Sequence, residues 1–442
     1  MQKFLSGILC LFLSVSLHSQ TALDSLWNDP DVEQRIRKGI ENNRMADFSI
    51  QFPQYKGTTE IEIHQLDNEF FFGANGFMVQ GFDTKEKNLE YEKIFASVFN
   101  LATVPFYWKT LEPQPGKLRF DSTSEPIYRR PPPDVVLGFC RKYNITPKGH
   151  TLVWNNPTHS VPDWLSKDTL QIQAAIKNRI DIIAKHYGNS AIQTWDVVNE
   201  SLHHFPQVIM PEDYVYSSFV EAAKVFPAST KLMINEVTSV WQGNVHEYSP
   251  YNMLIRNLFL RGAKIDAIGL QFHFFNEQLH YDVLAGKAMQ PKQMFAVLDL
   301  YGRYNKPLHI SEITIPSLPN NATGQQNQAK LTRNFYRLWF SHPAVEAIIW
   351  WNVVDGTAVK GEDKWNGGFV NNDFSPKPAY DELKKLINVE WKTNIKAKLN
   401  TGDNFSFKGF FGSYEVTVKQ GKKITKQKII FNKDGKHSAT IL

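Results

Sequence analysis

Two glutamates stand directly after apolar stretches of the sequence. Glu200 follows Asn199 and the stretch 194–198, and Glu312 follows the stretch 307–311. An apolar strand that ends in a carboxylate is costly unless that group is solvated, paired or used in chemistry. Two carboxyl groups in one cleft can cleave a glycosidic bond, because one protonates the leaving oxygen and the other attacks or activates water. The spacing alone leaves open which glutamate takes which role.

Other side chains that could contact a substrate occupy comparable positions. His150 lies in a third apolar stretch, and Gln271 and His273 end a fourth. The alternative for the two histidines is a structural role with their hydrogen bonds made inside the protein. For either glutamate taken alone, the alternative is a structural ion pair.

The elements that must position these residues alternate between short apolar strands and amphipathic helices from about Glu69 to Lys385. The clearest helix runs from Leu170 to Tyr187 and ends at Gly188. This alternation predicts an α/β fold, a closed (β/α)₈ barrel whose active site lies at the C-terminal ends of its strands. An open doubly wound sheet is the alternative, but no glycine-rich phosphate loop follows the first strand. The predicted strands are 70–74, 98–104, 147–154, 194–198, 231–234, 267–272, 307–310 and 347–351.

The regions on either side of the barrel have a different pattern. A helix at 31–44 precedes two alternating runs, 48–52 and 61–63, which predict a small N-terminal β-hairpin. From about Asn394 the chain alternates again and predicts a small C-terminal β appendage. We therefore divide the chain into a signal peptide (1–20), an N-terminal helix and hairpin (21–68), the barrel (69–390) and the appendage (391–442).

The first twenty residues resemble an export signal, with Lys3 before an apolar run from Ile8 to Val15. The run is too short to span a bilayer. We expect a secreted, periplasmic or cell-surface protein with no integral membrane segment after cleavage; a signal anchor is the alternative. Cys140 would be the only cysteine of the mature chain, so no internal disulfide can form.

The net charge of +5 resides in the tail, where residues 401–442 contain eight lysines against three acidic residues. A solvated strand surface that resists edge pairing accounts for them, and attraction to an acidic polysaccharide is the alternative. The sequence contains no nucleic-acid motif, metal cluster or nucleotide loop, so we expect no cofactor and no nucleic-acid partner. The oligomeric state is left open.

Several motifs resemble those of the family 10 glycoside hydrolases, the xylanase group, in the right order over roughly residues 70–385. They are GHTLVW at 149–154, WDVVNE at 195–200, GLQFH at 269–273, ISE at 310–312 and PKPAY at 376–380. The resemblance implies a (β/α)₈ barrel and a retaining mechanism acting on a β-linked polysaccharide or oligosaccharide.

The resemblance also implies roles for individual residues. Glu200 would be the acid/base, with a raised pKa, and Glu312 the nucleophile, remaining ionised. Asn199 would bind the sugar 2-hydroxyl. His150, Gln271 and His273 would surround the sugar at the cleavage point, and Trp154 and Trp351 would form aromatic walls. Because Trp350 and Trp351 are adjacent, at most one is expected to face the cleft.

Four positions depart from the family pattern. Val104 and Tyr107 replace an asparagine and a lysine that normally bind glycone hydroxyls, and Asn155 replaces a histidine. Thr314 replaces the acid that would pair with His273, so that histidine is expected to be neutral more often than in relatives. We expect a substrate shifted toward a modified glycan, for example one on which Tyr107 and its neighbour Phe106 stack.

Two other functions remain open at this stage. One is a non-catalytic extracellular carbohydrate-binding protein on the same barrel, and the other is a structural role in a surface complex. The presence of both Glu200 and Glu312 argues against the first, because a binding protein has no need for the pair.

Overall fold

The computed structural model describes residues 22–55, 57–243, 245–400 and 404–442. The predicted signal peptide lies outside these ranges. Strands β1 (Met45–Gln51) and β2 (Thr59–Asn68) precede a closed barrel of eight parallel strands, which confirms the predicted fold. The barrel strands, each paired with the next and β10 with β3, are β3 (Phe71–Asn75), β4 (Leu101–Pro105), β5 (Thr146–Trp154), β6 (Thr194–Asn199), β7 (Lys231–Glu236), β8 (Ala267–His273), β9 (Leu308–Thr314) and β10 (Val345–Trp350).

Helices connect the barrel strands and pack around them. The predicted stripe on α6, from Ile172 to Tyr187, is buried, and Asp168 caps the helix by accepting a hydrogen bond from Gln171 N at 3.0 Å. Among the described residues no helix is long and apolar enough to cross a membrane. The helices are α1 (Ala22–Trp27), α2 (Pro30–Arg44), α3 (Lys85–Ala96), α4 (Trp108–Leu111), α5 (Pro133–Tyr143), α6 (Thr169–Tyr187), α7 (Tyr214–Val225), α8 (Pro250–Leu260), α9 (Glu277–Leu284), α10 (Pro291–Gly302), α11 (Ala322–Ser341) and α12 (Pro378–Lys385), with shorter helical turns at Thr238–Val240, Asp363–Trp365 and Leu386–Glu390.

The predicted N-terminal hairpin is wrong, because β1 and β2 belong to different sheets. The remaining strands are β11 (Asn394–Leu399), β12 (Asn404–Phe410), β13 (Gly412–Gln420), β14 (Lys423–Phe431) and β15 (Ser438–Thr440). One sheet has the order β12-β1-β15 and the other has the order β11-β2-β13-β14. The apolar faces of the two sheets share one core, in which Phe48 of β1 stacks on Phe431 of β14 with ring centres 4.2 Å apart. The N-terminal strands thus bury their apolar faces against the C-terminal tail.

Arg44, at the end of α2, connects this β-sandwich region to the barrel. Its buried guanidinium donates to the carbonyl oxygens of Phe340, His342 and Val345 at 2.6–2.7 Å. These bonds satisfy carbonyl groups around the end of α11 and the start of β10, at the opposite end of the barrel strands from Glu200 and Glu312.

Candidate active site

The C-terminal ends of the barrel strands surround one cleft of ≈ 470 Å³. All nine residues predicted for the site line this cleft. They are Tyr107 after β4, His150 and Trp154 of β5, Asn199 and Glu200 at the end of β6, Gln271 and His273 of β8, Glu312 of β9 and Trp351 after β10. Its neighbour Trp350 is fully buried instead and donates from Nε1 to Gly367 O at 2.8 Å, as expected for the adjacent pair.

One side-chain amide joins the two predicted catalytic glutamates. Gln271 Nε2 donates to Glu200 Oε1 at 2.9 Å and to Glu312 Oε1 at 3.1 Å. The two carboxyl oxygens therefore cannot be further apart than the sum of these distances, about 6 Å. This limit concerns one oxygen of each carboxyl group; it lies below the separation of roughly 6.5–9.5 Å typical of inverting glycosidases and is compatible with the 5–5.5 Å of retaining ones.

Burial raises the pKa values of both glutamates, and neighbouring charges act differently on each. Burial raises the pKa of Glu200 to about 8, and the nearby Glu312 charge adds to the effect. Burial also raises the pKa of Glu312, to about 7, although His150 opposes it. The expectation was that Glu312 remains ionised, and a pKa of about 7 keeps it ionised only from neutral pH upward. The order of the two groups is nevertheless the expected one, because Glu200 holds its proton to a higher pH.

The backbone at Glu200 has an unusual conformation. Its φ of 53° lies in the left-handed region, and its N–H donates to Asn235 O at 2.9 Å. A non-glycine residue in this region costs about 1–2 kcal/mol. Such residues persist where the surrounding structure fixes them, and they cluster at functional sites.

Asn235, near the end of β7, donates a hydrogen bond to Glu312. It was not predicted from the sequence as a site residue. Its fully buried amide donates to Glu312 Oε1 and to Asn199 Oδ1, both at 2.8 Å, and accepts from Ser311 Oγ at 2.5 Å. The next residue, Glu236, is also buried and accepts from Ser201 Oγ at 2.7 Å and Leu202 N at 2.9 Å. The sequence signal was available, because both residues directly follow the predicted strand 231–234.

His150 is fixed by a buried network beneath the cleft. Its Nδ1 lies 2.7 Å from Asp196 Oδ2, which also bonds the ammonium of Lys148. Although burial alone would raise it, Lys148 and His150 hold the pKa of Asp196 below its ordinary value. The other ring nitrogen, Nε2, lies 3.9 Å from Glu312 Oε1. The network thus orients His150 beside Glu312.

The sequence profile of glycosyl hydrolase family 10 matches residues 68–386. The chain belongs to this family. It is 26% identical to the anti-sigma-I factor RsgI6 of Acetivibrio thermocellus over 332 residues, covering 74% of this chain and 39% of that protein. It is 25% identical to endo-1,4-beta-xylanase 2 of Arabidopsis thaliana, covering 87% and 33%, and 24% identical to endo-1,4-beta-xylanase B of Thermotoga neapolitana, covering 69% and 85%.

Solved structures of the family share the fold. Native xylanase 10B from Thermotoga maritima superposes with a TM-score of 0.58 at 20% identity, covering 73% of this chain and 96% of that one. The chain spans only about a third to a half of the length of the anti-sigma factor and the Arabidopsis xylanases.

The structure shows the surroundings of three positions at which the sequence departs from the family pattern. Val104 is wholly buried in the barrel core, and Asn155 donates to His203 O at 3.2 Å beside the cleft. Thr314 Oγ1 lies 3.0 Å from His273 Nδ1, and burial lowers the pKa of that histidine to about 4. His273 is therefore neutral at pH 7. Its Nε2 lies 3.3 Å from Glu312 Oε2.

The suggested stacking of Phe106 on a sugar is wrong. Phe106 is wholly buried and packs on the rings of Tyr187 and Trp195, at 5.1 and 4.6 Å between centres. Tyr107 does line the cleft, but the guanidinium of Arg130 lies 3.9 Å from its ring centre. Arg130 was not foreseen, because it comes from a loop with no motif.

No group of three or more potential metal-ligating side chains is found in the described ranges.

Proposed function

We propose that the chain is a retaining glycoside hydrolase that cleaves a β-linked polysaccharide, endo-1,4-β-xylanase-like but with a substrate shifted toward a modified glycan. The observation that carries this proposal is the shared hydrogen bonding of Glu200 and Glu312 to Gln271 Nε2, which keeps their carboxyl oxygens within about 6 Å. Family membership and the similarity to several xylanases support the same activity.

In the first step Glu312 attacks the anomeric carbon and Glu200 protonates the leaving oxygen. Glu312 Oε1 accepts hydrogen bonds from Asn235 and Gln271, whereas His273 Nε2 is the one hydrogen-bond partner of Oε2 within the described part of the chain. We therefore assign the attack to Oε2. As the C–O bond breaks, its electron pair passes to the leaving oxygen, which takes the proton of Glu200. The raised pKa of Glu200 keeps that proton available near neutral pH.

In the second step water releases the sugar from Glu312. Glu200, now a carboxylate, takes a proton from the water as the water oxygen attacks the anomeric carbon. The bond to Glu312 breaks and its electron pair returns to the carboxylate. Two displacements at one carbon give a product with the original β configuration.

Asn199 supplies a donor to the substrate. Its Oδ1 accepts from Asn235 Nδ2 at 2.8 Å, while its buried Nδ2 has no hydrogen-bond partner within 3.5 Å in the described ranges, although Asn199 lies near enough to Glu200 to lower the pKa of that carboxyl group. A buried donor without a partner is costly, so a sugar hydroxyl at this point gains a strong bond. This supports the assignment of Asn199 to the 2-hydroxyl of the sugar attached to Glu312.

The test is product release from a broad panel of β-linked plant and algal polysaccharides. Glu200→Ala and Glu312→Ala are assayed beside the unmodified chain, and Glu92→Gln serves as a control that alters a buried glutamate outside the cleft. Product that requires both cleft glutamates and survives the control supports the proposal. Binding to a polysaccharide without product from any of them would instead favour a non-catalytic carbohydrate-binding protein.

We also propose that residues 1–20 direct export to the periplasm, cell surface or medium. The basic start and the short apolar run support this. Cell fractionation with N-terminal sequencing of the mature protein tests it; a full-length chain found only in the cytoplasm would contradict it.

A further inference from the structure

Two adjacent arginines form part of the cleft wall beside Tyr107. Arg129 and Arg130 come from the loop between α4 and α5, and both line the cleft. Only 3% and 8% of their surfaces are exposed. Arg130 packs against the ring of Tyr107, and the guanidinium of Arg129 lies 5.6 Å from the ring centre of Phe77. Burying two neighbouring cations is costly unless an anion compensates them.

The described part of the chain supplies one nearby carboxylate, Glu362, for these two charges, but no ion pair in direct contact. Arg129 Nη1 donates to Thr357 O at 2.6 Å, and Arg130 Nη1 donates to Arg129 O at 2.9 Å. Arg129 Nε is buried without a hydrogen-bond partner, and neither arginine forms an ion pair within 4.0 Å in the described ranges. Glu362 lines the same cleft and its charge acts on both arginines, but its buried Oε2 forms no hydrogen bond with either of them in the described ranges. The wall therefore presents unused guanidinium donors.

The arginines stand on the Glu312 side of the cleft. The Tyr107 ring against which Arg130 packs is 5.4 Å from the His150 ring, and His150 Nε2 is 3.9 Å from Glu312 Oε1. If Glu312 is the nucleophile, this side holds the sugar unit that becomes bonded to the enzyme and the units before it. These units form the glycone.

We propose that Arg129 and Arg130 bind an anionic substituent of the glycone, either a uronic acid carboxylate or a sulfate ester. A planar guanidinium matches two oxygens of either group, and such charge-assisted pairs are stronger than neutral hydrogen bonds. The inference deepens the proposed function and rests on it for the position of the glycone. The expected modification of the glycan would then be an acidic group.

A purely structural role for the pair is the alternative. A structural role fits Arg129 better than Arg130. Arg129 links two loops through its bond to Thr357 O, whereas the side-chain hydrogen bond of Arg130 goes to the adjacent Arg129 O. Arg130→Gln is therefore the informative variant. Lys364→Gln is the matched control, because it removes one exposed positive charge from the short helical turn Asp363–Trp365, and Lys364 does not line the cleft.

The experiment measures binding by calorimetry with Glu200→Gln as the background, so that the readout does not depend on hydrolysis. The probes are xylo-oligosaccharides with a glucuronic acid branch, before and after carboxyl reduction, and β-linked galactan oligosaccharides, before and after desulfation. One pair tests a carboxylate and the other tests a sulfate. We expect an anionic probe to bind at least tenfold more tightly than its neutral counterpart, and Arg130→Gln to abolish that preference whereas Lys364→Gln retains it.

Equal affinity for the anionic and neutral members of both pairs, or a preference that survives Arg130→Gln, would overturn the inference. If Arg130→Gln does not fold, the salt dependence of the Glu200→Gln protein decides: affinity for the anionic probe must fall with added NaCl more steeply than affinity for the neutral one. Absence of product from the unmodified chain would count against the proposed hydrolysis and leave this binding result intact.

Discussion

Replacing Asn235 by leucine tests how the cleft sets the protonation of Glu312. The substitution keeps a similar volume but removes the donor that lies 2.8 Å from Glu312 Oε1. A hydrogen bond to a charged group contributes about 1.5–3 kcal/mol, and one pH unit corresponds to about 1.4 kcal/mol. The pKa of Glu312, already raised to about 7 by burial, is therefore expected to rise by a further one to two pH units, roughly.

The expected result is a displaced acidic limb in the pH profile of kcat/KM. In the proposed mechanism activity requires ionised Glu312, so a higher pKa of Glu312 moves this limb to higher pH. At a fixed pH below the limb, kcat/KM falls by about 10- to 100-fold. The assay is initial-rate kinetics from pH 4 to 10 on the best substrate of the panel, with circular dichroism to verify folding.

Asn252→Leu is the matched control for this experiment. Asn252 is a buried asparagine of α8 that donates to Glu247 O at 2.6 Å and does not line the cleft. We expect it to lower stability without moving the acidic limb. A folded Asn235→Leu protein whose profile superposes on that of the unmodified chain would refute the reasoning, as would an equal displacement in the control.

Three further predictions concern the same structure. The unmodified chain should show a bell-shaped kcat/KM profile with its optimum near neutral pH, because Glu312 protonates below about 7 and Glu200 loses its proton above about 8; an optimum near pH 5 would contradict these environments. Asp196→Asn should lower the free energy of unfolding by about 3–5 kcal/mol, since it leaves the Lys148 ammonium buried and unpaired; a loss below about 1 kcal/mol in urea denaturation would count against it. Phe48→Ala should cost about 3–5 kcal/mol in the stability of the β-sandwich, measured by the same method, and no change would show that the two sheets do not depend on each other.

The barrel and most of the site followed from local sequence patterns. Each strand is a short apolar run, and parallel strands in a closed barrel bring their C-terminal ends together, so Glu200 and Glu312 could be placed in one cleft despite their distance in sequence. The same rule would have found Asn235 if the strand at 231–234 had been followed one residue further.

The remaining features depend on long-range packing that local patterns do not encode. The alternating runs at β1 and β2 look like a hairpin, but their apolar faces find larger partners in the C-terminal tail, as the stacking of Phe48 on Phe431 illustrates. The side chain of Arg130 reaches the cleft and packs on the ring of Tyr107, a contact between residues that no local pattern links. The raised pKa of Glu312 results from complete burial, which composition does not reveal.

The central claim is a double displacement by Glu200 and Glu312, and the stereochemistry of the first product tests it most directly. Proton NMR during the first minutes of hydrolysis distinguishes the α and β anomers before mutarotation mixes them. The account predicts that the β anomer of the new reducing end accumulates first, and that none forms with Glu312→Ala. Initial accumulation of the α anomer would mean single displacement by water and would contradict the assignment of Glu312 as the nucleophile.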